Sequence, residues 1–203
     1  RDTLTSLPNR LLFADRLEQA VVRSERSRTS MALMLIDIDD FKLVNDSFGH
    51  DAGDKLIKAV GELISKSLRR ADTIARLGGD EFAVIIEGID GPDDAISIAD
   101  NLTTILEHNV RLDDQETYTS ASIGIAVYPG DGKDARSLLK NADTAMYRAK
   151  ESGRHCFQFY KPEMSVSAME RLDLENSLKA AFENDEFMIH YQPVIDIHKN
   201  EVV

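Results

Sequence analysis

The residues of this chain best placed to do chemistry are Gly78-Gly79-Asp80-Glu81, two adjacent glycines followed at once by two carboxylates. The apolar stretch Thr73-Ile74-Ala75-Arg76-Leu77 precedes them and Phe82-Ala83-Val84-Ile85-Ile86 follows. A Gly-Gly pair between two β-prone segments predicts a two-residue hairpin turn, because such turns need a positive φ that glycine adopts cheaply. The turn would hold Asp80 and Glu81 at its rim, close together and open to a ligand. Two carboxylates on a rigid hairpin tip suit a divalent cation. The same string also serves as an ordinary solvated turn.

Further groups could join them. Asp37 closes an apolar run and is followed by Asp39-Asp40; it is either a cation ligand at a strand end or a helix N-cap. Residues 39–42 should open a helix, whose free N–H groups form an anion site to which Lys42 adds a charge. Lys150 and Arg154, four apart on a predicted helix, should project from one face as a phosphate clamp or as a solvated basic edge.

Elements must bring these groups together. Apolar residues at helical spacing predict a helix over 8–27 with Pro8 at its start, and others over 51–68, 93–107 and 134–152. A short helix should run to about residue 46. The run 31–38 suits a buried strand, and 118–127 alternates as a strand before Tyr128-Pro129-Gly130-Asp131-Gly132 breaks the chain. Gly153 gives the last helix a natural stop. Strands and helices interleaved around one hairpin predict an α/β (α+β) sandwich with a mixed, mainly antiparallel sheet.

The chain has 203 residues, enough for one full domain core. Its net charge of -12 argues against tracking along a nucleic-acid polymer, though not against a single nucleotide. The single cysteine, Cys156, excludes an internal disulfide and fits a cytoplasmic domain. Its apolar neighbours predict a buried small hydrophobe. No stretch has the apolar length of a membrane span, and no signal peptide is visible. The chain begins at Arg1, which leads us to expect a fragment of a longer protein, its membrane attachment open.

Four motifs in order resemble those of the GGDEF diguanylate cyclase family. They are Asp2-Thr3-Leu4-Thr5-Ser6-Leu7-Pro8-Asn9-Arg10, Asp37-Ile38-Asp39-Asp40-Phe41-Lys42-Leu43-Val44-Asn45-Asp46, the hairpin string ending in Phe82, and the segment from Ala145 to Arg154. Gly49-His50-Asp51-Ala52-Gly53-Asp54 follows the second at the expected distance. One departure is Ser6, where the family more usually has glycine. The resemblance covers residues 1–160 and implies the ferredoxin-like core shared with adenylate cyclases and polymerase palms. It implies Mg²⁺ or Mn²⁺ held by Asp37, Asp80, Glu81 and the carbonyl of Ile38, with Asp80 and Glu81 catalytic and Asp80 either a base or only a ligand. GTP would be bound by Phe41, Lys42, Asn45, His50, Asp54, Lys150 and Arg154. Asn45 and Asp54 can read guanine's edge, since an aspartate accepts from its N1 and N2 donors. His50 would lie near the sugar or base, or simply start a helix. Arg69 and Asp72 resemble an RxxD inhibitory site for the product, cyclic di-GMP; they could equally form a surface ion pair.

Residues 161–203 read differently. A charged amphipathic helix is expected over 163–183 and a strand over 187–196; this segment resembles the opening of an EAL-type phosphodiesterase domain, ending before its catalytic acids. The expected activity is therefore condensation of two GTP into cyclic di-GMP across a homodimer, with upstream sensory and adjacent EAL domains as partners. A GTP-binding module that regulates a neighbouring phosphodiesterase is the alternative. A purely structural dimerisation domain would leave the carboxylates unexplained.

Overall fold

A computed structural model describes residues 1–112 and 115–165, with residues 177, 181–182, 184, 186–188, 195–196 and 201–202 beyond them. The chain divides into two units, 1–165 and 166–203. In the first, α1 (Arg10–Ser27) starts after Asn9, whose side chain accepts the Leu12 N–H. Pro8 stands before that cap, not inside the first turn as expected. Its carbonyl accepts the Arg76 N–H at 3.0 Å, which ties it to the hairpin instead.

Strand β1 (Ser30–Ile38) leads into α2 (Phe41–Phe48) and α3 (His50–Ser67). The hairpin β2 (Thr73–Gly78) and β3 (Glu81–Ile89) follows, then α4 (Pro92–Leu106). The single strand expected over 118–127 is two strands. β5 (Gln115–Thr119) pairs with β4 (His108–Leu112) in a separate ribbon, while β6 (Ala121–Tyr128) enters the main sheet. Ser120 sits at the break, where its carbonyl accepts the Asp39 N–H at 2.9 Å. Helix α5 (Ala135–Glu151), closed at its start by the Asp134–Ser137 capping box, precedes β7 (Phe157–Phe159).

The five-stranded sheet has the order β2-β3-β1-β6-β7, antiparallel except between β6 and β7. Strand β1 is buried on both faces and its side chains alternate between two cores. Ala32, Met34 and Ile36 pack with α2, α3 and α4; Met31, Leu33 and Leu35 pack with α1 and α5. By that alternation Asp37 belongs to the α1–α5 face. Gly124 on β6 lets α5 lie close: a Cβ there would stand 2.1 Å from the Ala142 carbonyl and the Met146 nitrogen. Ser6 adopts φ +61°, a conformation that glycine reaches at lower cost.

Among the described residues, no helix is long and apolar enough to cross a membrane. In the second unit, Ile195–Asp196 (β8) pairs antiparallel with Glu201–Val202 (β9). Of the strand expected over 187–196 only these last two residues are seen as strand. Phe187 and Met188 have no strand pairing, and 189–194 lie outside the described residues. Most of the helix expected over 163–183 also lies outside them.

Candidate active site

The hairpin turn falls one residue later than the glycine pair suggests. Gly78 pairs with Glu81, so the turn residues are Gly79, at φ +55°, and Asp80. The register slips between Arg76 and Gly78, a local irregularity of the kind that re-aims a side chain. Arg76 clamps the tip: its Nε and Nη2 donate to the Gly79 carbonyl at 3.0 and 2.8 Å. Its Nη1 donates to the Asp2 carboxylate at 3.1 and 3.2 Å.

Glu81, the first residue of β3, stands opposite Asp37 in register. Directly opposed side chains on one sheet face have Cβ atoms about 5 Å apart, so two carboxylates share the rim. The Ile38 N–H donates to the Asp80 carbonyl at 3.4 Å, which anchors the turn to the same strand end. Lys150 reaches down from α5 and places Nζ 2.8 Å from Asp37 Oδ2. Burial pushes the Asp37 pKa up; the Lys150 hydrogen bond opposes this, and the charges of Asp80 and Glu81 add to the rise. Asp37 is a strand residue and not a helix N-cap. That position belongs to Asp40, whose side chain makes no capping bond.

The two cations predicted to share a helix face do not. Helix α5 stops at Glu151 and Gly153 turns the chain at φ +110°, so Arg154 lies beyond the helix, 3.8 Å from Asp40. Lys150 serves Asp37 while Arg154 stands over the start of α2. The N–H of Asp39 is also taken, by Ser120, and that of Leu43 by the Asp40 carbonyl at 2.8 Å, which leaves the N–H groups of Phe41 and Lys42 for an anion. On the other face of the sheet, Asn45 and Phe41 crowd Gly53 at the start of α3. A Cβ on Gly53 would lie 2.0 Å from Asn45 Oδ1 and 3.1 Å from Phe41 Cζ. Asp54 is the next residue, exposed like His50 and Lys42.

A family model described as "Diguanylate cyclase, GGDEF domain" matches residues 1–156. The chain belongs to the GGDEF diguanylate cyclase family. It is 45% identical over 194 residues to the bifunctional diguanylate cyclase/cyclic di-GMP phosphodiesterase MucR of Pseudomonas aeruginosa, covering 96% of this chain and 28% of MucR. Identity to the cyclic di-GMP phosphodiesterase PdeR of Escherichia coli is 39% over 194 residues, 96% of this chain and 29% of PdeR. The solved GGDEF domain of TpbB (YfiN) from Pseudomonas aeruginosa superposes with a TM-score of 0.81 at 39% identity, covering 83% of this chain and 99% of that one. The chain spans about a quarter of the length of the curated relatives it matches. The mixed, mostly antiparallel sheet is thus the nucleotide-cyclase, palm-like fold of GGDEF structures.

The donor set of this GGDEF domain fits a hard divalent cation. Among the described residues no three His, Cys, Asp or Glu side chains form a metal cage. Mg²⁺ is commonly held by one or two carboxylates completed by phosphate oxygens and water. Asp37 and Glu81 offer that number, next to the backbone of Ile38.

Arg69 and Asp72 close a tight turn on themselves: the Arg69 N–H donates to Asp72 Oδ2 at 2.9 Å and the Asp72 N–H to the Arg69 carbonyl at 3.0 Å. Burial raises the Asp72 pKa, and the bond from Arg69 works against it. The turn precedes Thr73 while the carboxylate rim follows Gly78, so strand β2 separates them by roughly 20 Å. Cys156 is half-buried, not fully buried as expected; its thiol donates to the Ala149 carbonyl, and burial together with the Asp39 charge pushes its pKa up.

Three residues with a part in the site escaped the sequence reading. Arg10, first in α1, donates to the Leu77 carbonyl at 3.2 Å and lies 3.5 Å from Glu81 Oε2. Arg76 clamps the tip, and Asp39 is buried among hydroxyls. Apart from Gly79, three residues from Arg76, their partners lie far off in sequence, so no local pattern announces them.

Proposed function

We propose that this domain is a diguanylate cyclase that condenses two GTP into cyclic di-GMP and two pyrophosphates. The observation that carries this reading is the register of Asp37 against Glu81, with Lys150 held 2.8 Å from Asp37 at the same rim. A ribose 3′-hydroxyl attacks the α-phosphorus of the second GTP, and pyrophosphate leaves. Catalysis of that kind rests on positioning and charge neutralisation. Asp37, Glu81, Asp80 and the Ile38 carbonyl would hold Mg²⁺ or Mn²⁺, which when bound lowers the hydroxyl's pKa and neutralises phosphate charge. Lys42, Lys150 and Arg154 bind phosphates, with the N–H groups of Phe41 and Lys42 at the start of α2. Phe41, Asn45, His50 and Asp54 form the nucleoside side, where Asp54 and Asn45 read guanine. Each domain holds one GTP, so two domains must face each other. Arg69 and Asp72 bind the product and inhibit from a distance.

A second reading has support in the similarity to PdeR, named as a phosphodiesterase. There the domain keeps its GTP site and regulates a neighbouring EAL domain, of which residues 161–203 would be the linker and the first strand.

The test is to fuse the chain to a short parallel coiled coil, add GTP and Mg²⁺, and identify products by mass spectrometry beside an Asp80→Ala twin. Cyclic di-GMP from the parent alone is the expected result. Intact GTP in both, with GTP still bound, would replace the cyclase by the regulatory module.

A further inference from the structure

Asp39 is 9% exposed and accepts three hydrogen bonds. Ser120 Oγ donates at 2.7 Å, Ser122 Oγ at 2.6 Å and the backbone N–H of His155 at 3.1 Å. Its own N–H donates to the Ser120 carbonyl. No described cation pairs with it in an ion pair; its charge is carried by hydroxyl and amide donors alone. An ionised acceptor makes such bonds roughly twice as strong as neutral ones.

The third donor comes from an unusual segment. Helix α5 ends in a Schellman arrangement, with Gly153 at φ +110° and the Arg154 N–H on the Ala149 carbonyl. The chain then keeps positive φ through two residues that are not glycine, Arg154 at +63° and His155 at +48°. Both are strained for a side chain with a Cβ and persist only where surroundings over-determine them. The bond from the His155 N–H to Asp39 is the restraint on this turn's backbone that comes from β1, beside the Arg154 N–H on Ala149 and the His155 Nε2 at 3.2 Å from Glu107 Oε2. Arg154 is thereby aimed at Asp40 and the start of α2.

We propose that Asp39 is a positioning residue that sets Arg154 over the phosphate site, acting through the His155 backbone with Ser120 and Ser122 holding its carboxylate. The inference rests on the GTP-site reading above. It deepens that reading by naming what fixes one arm of the clamp. Asp39 does not touch substrate. Its three bonds join the end of β1, the start of β6 and the turn after α5, so the segments bearing Asp37 and Arg154 move as one piece.

The experiment measures binding of GTP and of GMP, each with Mg²⁺, by calorimetry on the whole chain, with circular dichroism as the check of folding. Asp39→Ala, Asp39→Asn, Arg154→Ala and the Asp39→Ala/Arg154→Ala double variant are compared with the parent. Asp39→Ala should weaken GTP about tenfold and GMP less than about twofold, because Arg154 meets phosphates that GMP lacks. The double variant should lose no more than Arg154→Ala alone, since both changes remove one interaction. Asp39→Asn should recover most of the loss, keeping an oxygen for the His155 N–H while the Ser122 hydroxyl rotates to accept.

Equal losses on GTP and GMP, multiplied losses in the double variant, or parental GTP binding by Asp39→Ala would each overturn the role. Should Asp39→Ala fail to fold, Ser122→Ala must show the same GTP-selective loss, about threefold, and parental binding there overturns it. A parent chain that binds no GTP sinks the nucleotide site itself, an outcome distinct from all of these.

Discussion

Asp2 shows how a single ionisation supports the hairpin. Burial alone would raise its pKa, but hydrogen bonds from the Thr5 hydroxyl and N–H, at 2.7 and 2.9 Å, and from Arg76 prevail and hold it below the ordinary aspartate range. The native state therefore releases a proton that the unfolded chain keeps. Stability contributed by Asp2 is present above the unfolded aspartate pKa and is lost as pH falls through the lower folded value. Urea melts across an acid pH series should show this slope in the parent and a flatter one in Asp2→Asn. At neutral pH Asp2→Ala should cost about 1 kcal/mol, the low end for a charged hydrogen bond, because solvent screens the part-exposed pair. A steeper acid slope in Asp2→Asn would contradict the assignment.

Two glycines carry the argument at the scale of elements. At Gly53 the obstacle is the end of the Asn45 side chain, which can swing away. Gly53→Ala should therefore change the melting temperature little, helped by alanine's helix propensity of about 1 kcal/mol over glycine. It should weaken GTP about tenfold or more by displacing Asn45 from guanine, read by calorimetry. Unchanged GTP affinity would remove Asn45 from the base pocket. At Gly124 the obstacle is the backbone of α5, which cannot yield locally. Gly124→Ala should destabilise by about 3 kcal/mol or more, in the manner of an overpacked core, and lift Lys150 from Asp37. A thermal melt reports the first effect and loss of product the second.

These contrasts show what a linear reading can reach. The β1 run, the hairpin and the amphipathic helices were legible because apolar period is a local signal, and Asp37 lay at the end of such a run. The one-residue displacement of the turn was not, because the register slip between Arg76 and Gly78 depends on a clamp from Asp2 and on Gly79. Nor was the departure of Arg154 from α5: the helix stop was read at Gly153, but the chain keeps positive φ at two further residues, and the second is bonded to Asp39, 116 positions away. The division of the 118–127 strand has the same origin, since Ser120 is claimed by Asp39.

At the scale of the whole molecule, the proposed single GTP per domain would make activity a property of pairs. The chain alone should sediment as a monomer and turn over GTP barely at all, and coiled-coil pairing should raise activity per chain by at least about a hundredfold. Ultracentrifugation beside a product assay checks both, and rapid turnover at a monomeric concentration would contradict the two-domain mechanism. The threshold takes a hundredfold rate difference to equal about 2.7 kcal/mol of barrier.

The Asp2–Arg76–Gly79 chain of bonds also has a mechanical meaning. Arg76 holds the amino-terminal segment with one arm of its guanidinium and the hairpin tip with the others. A tug or twist on Asp2 is thus delivered through polar bonds to the turn that bears Asp80. The domain has a lever at its threshold, and its fulcrum is a single arginine.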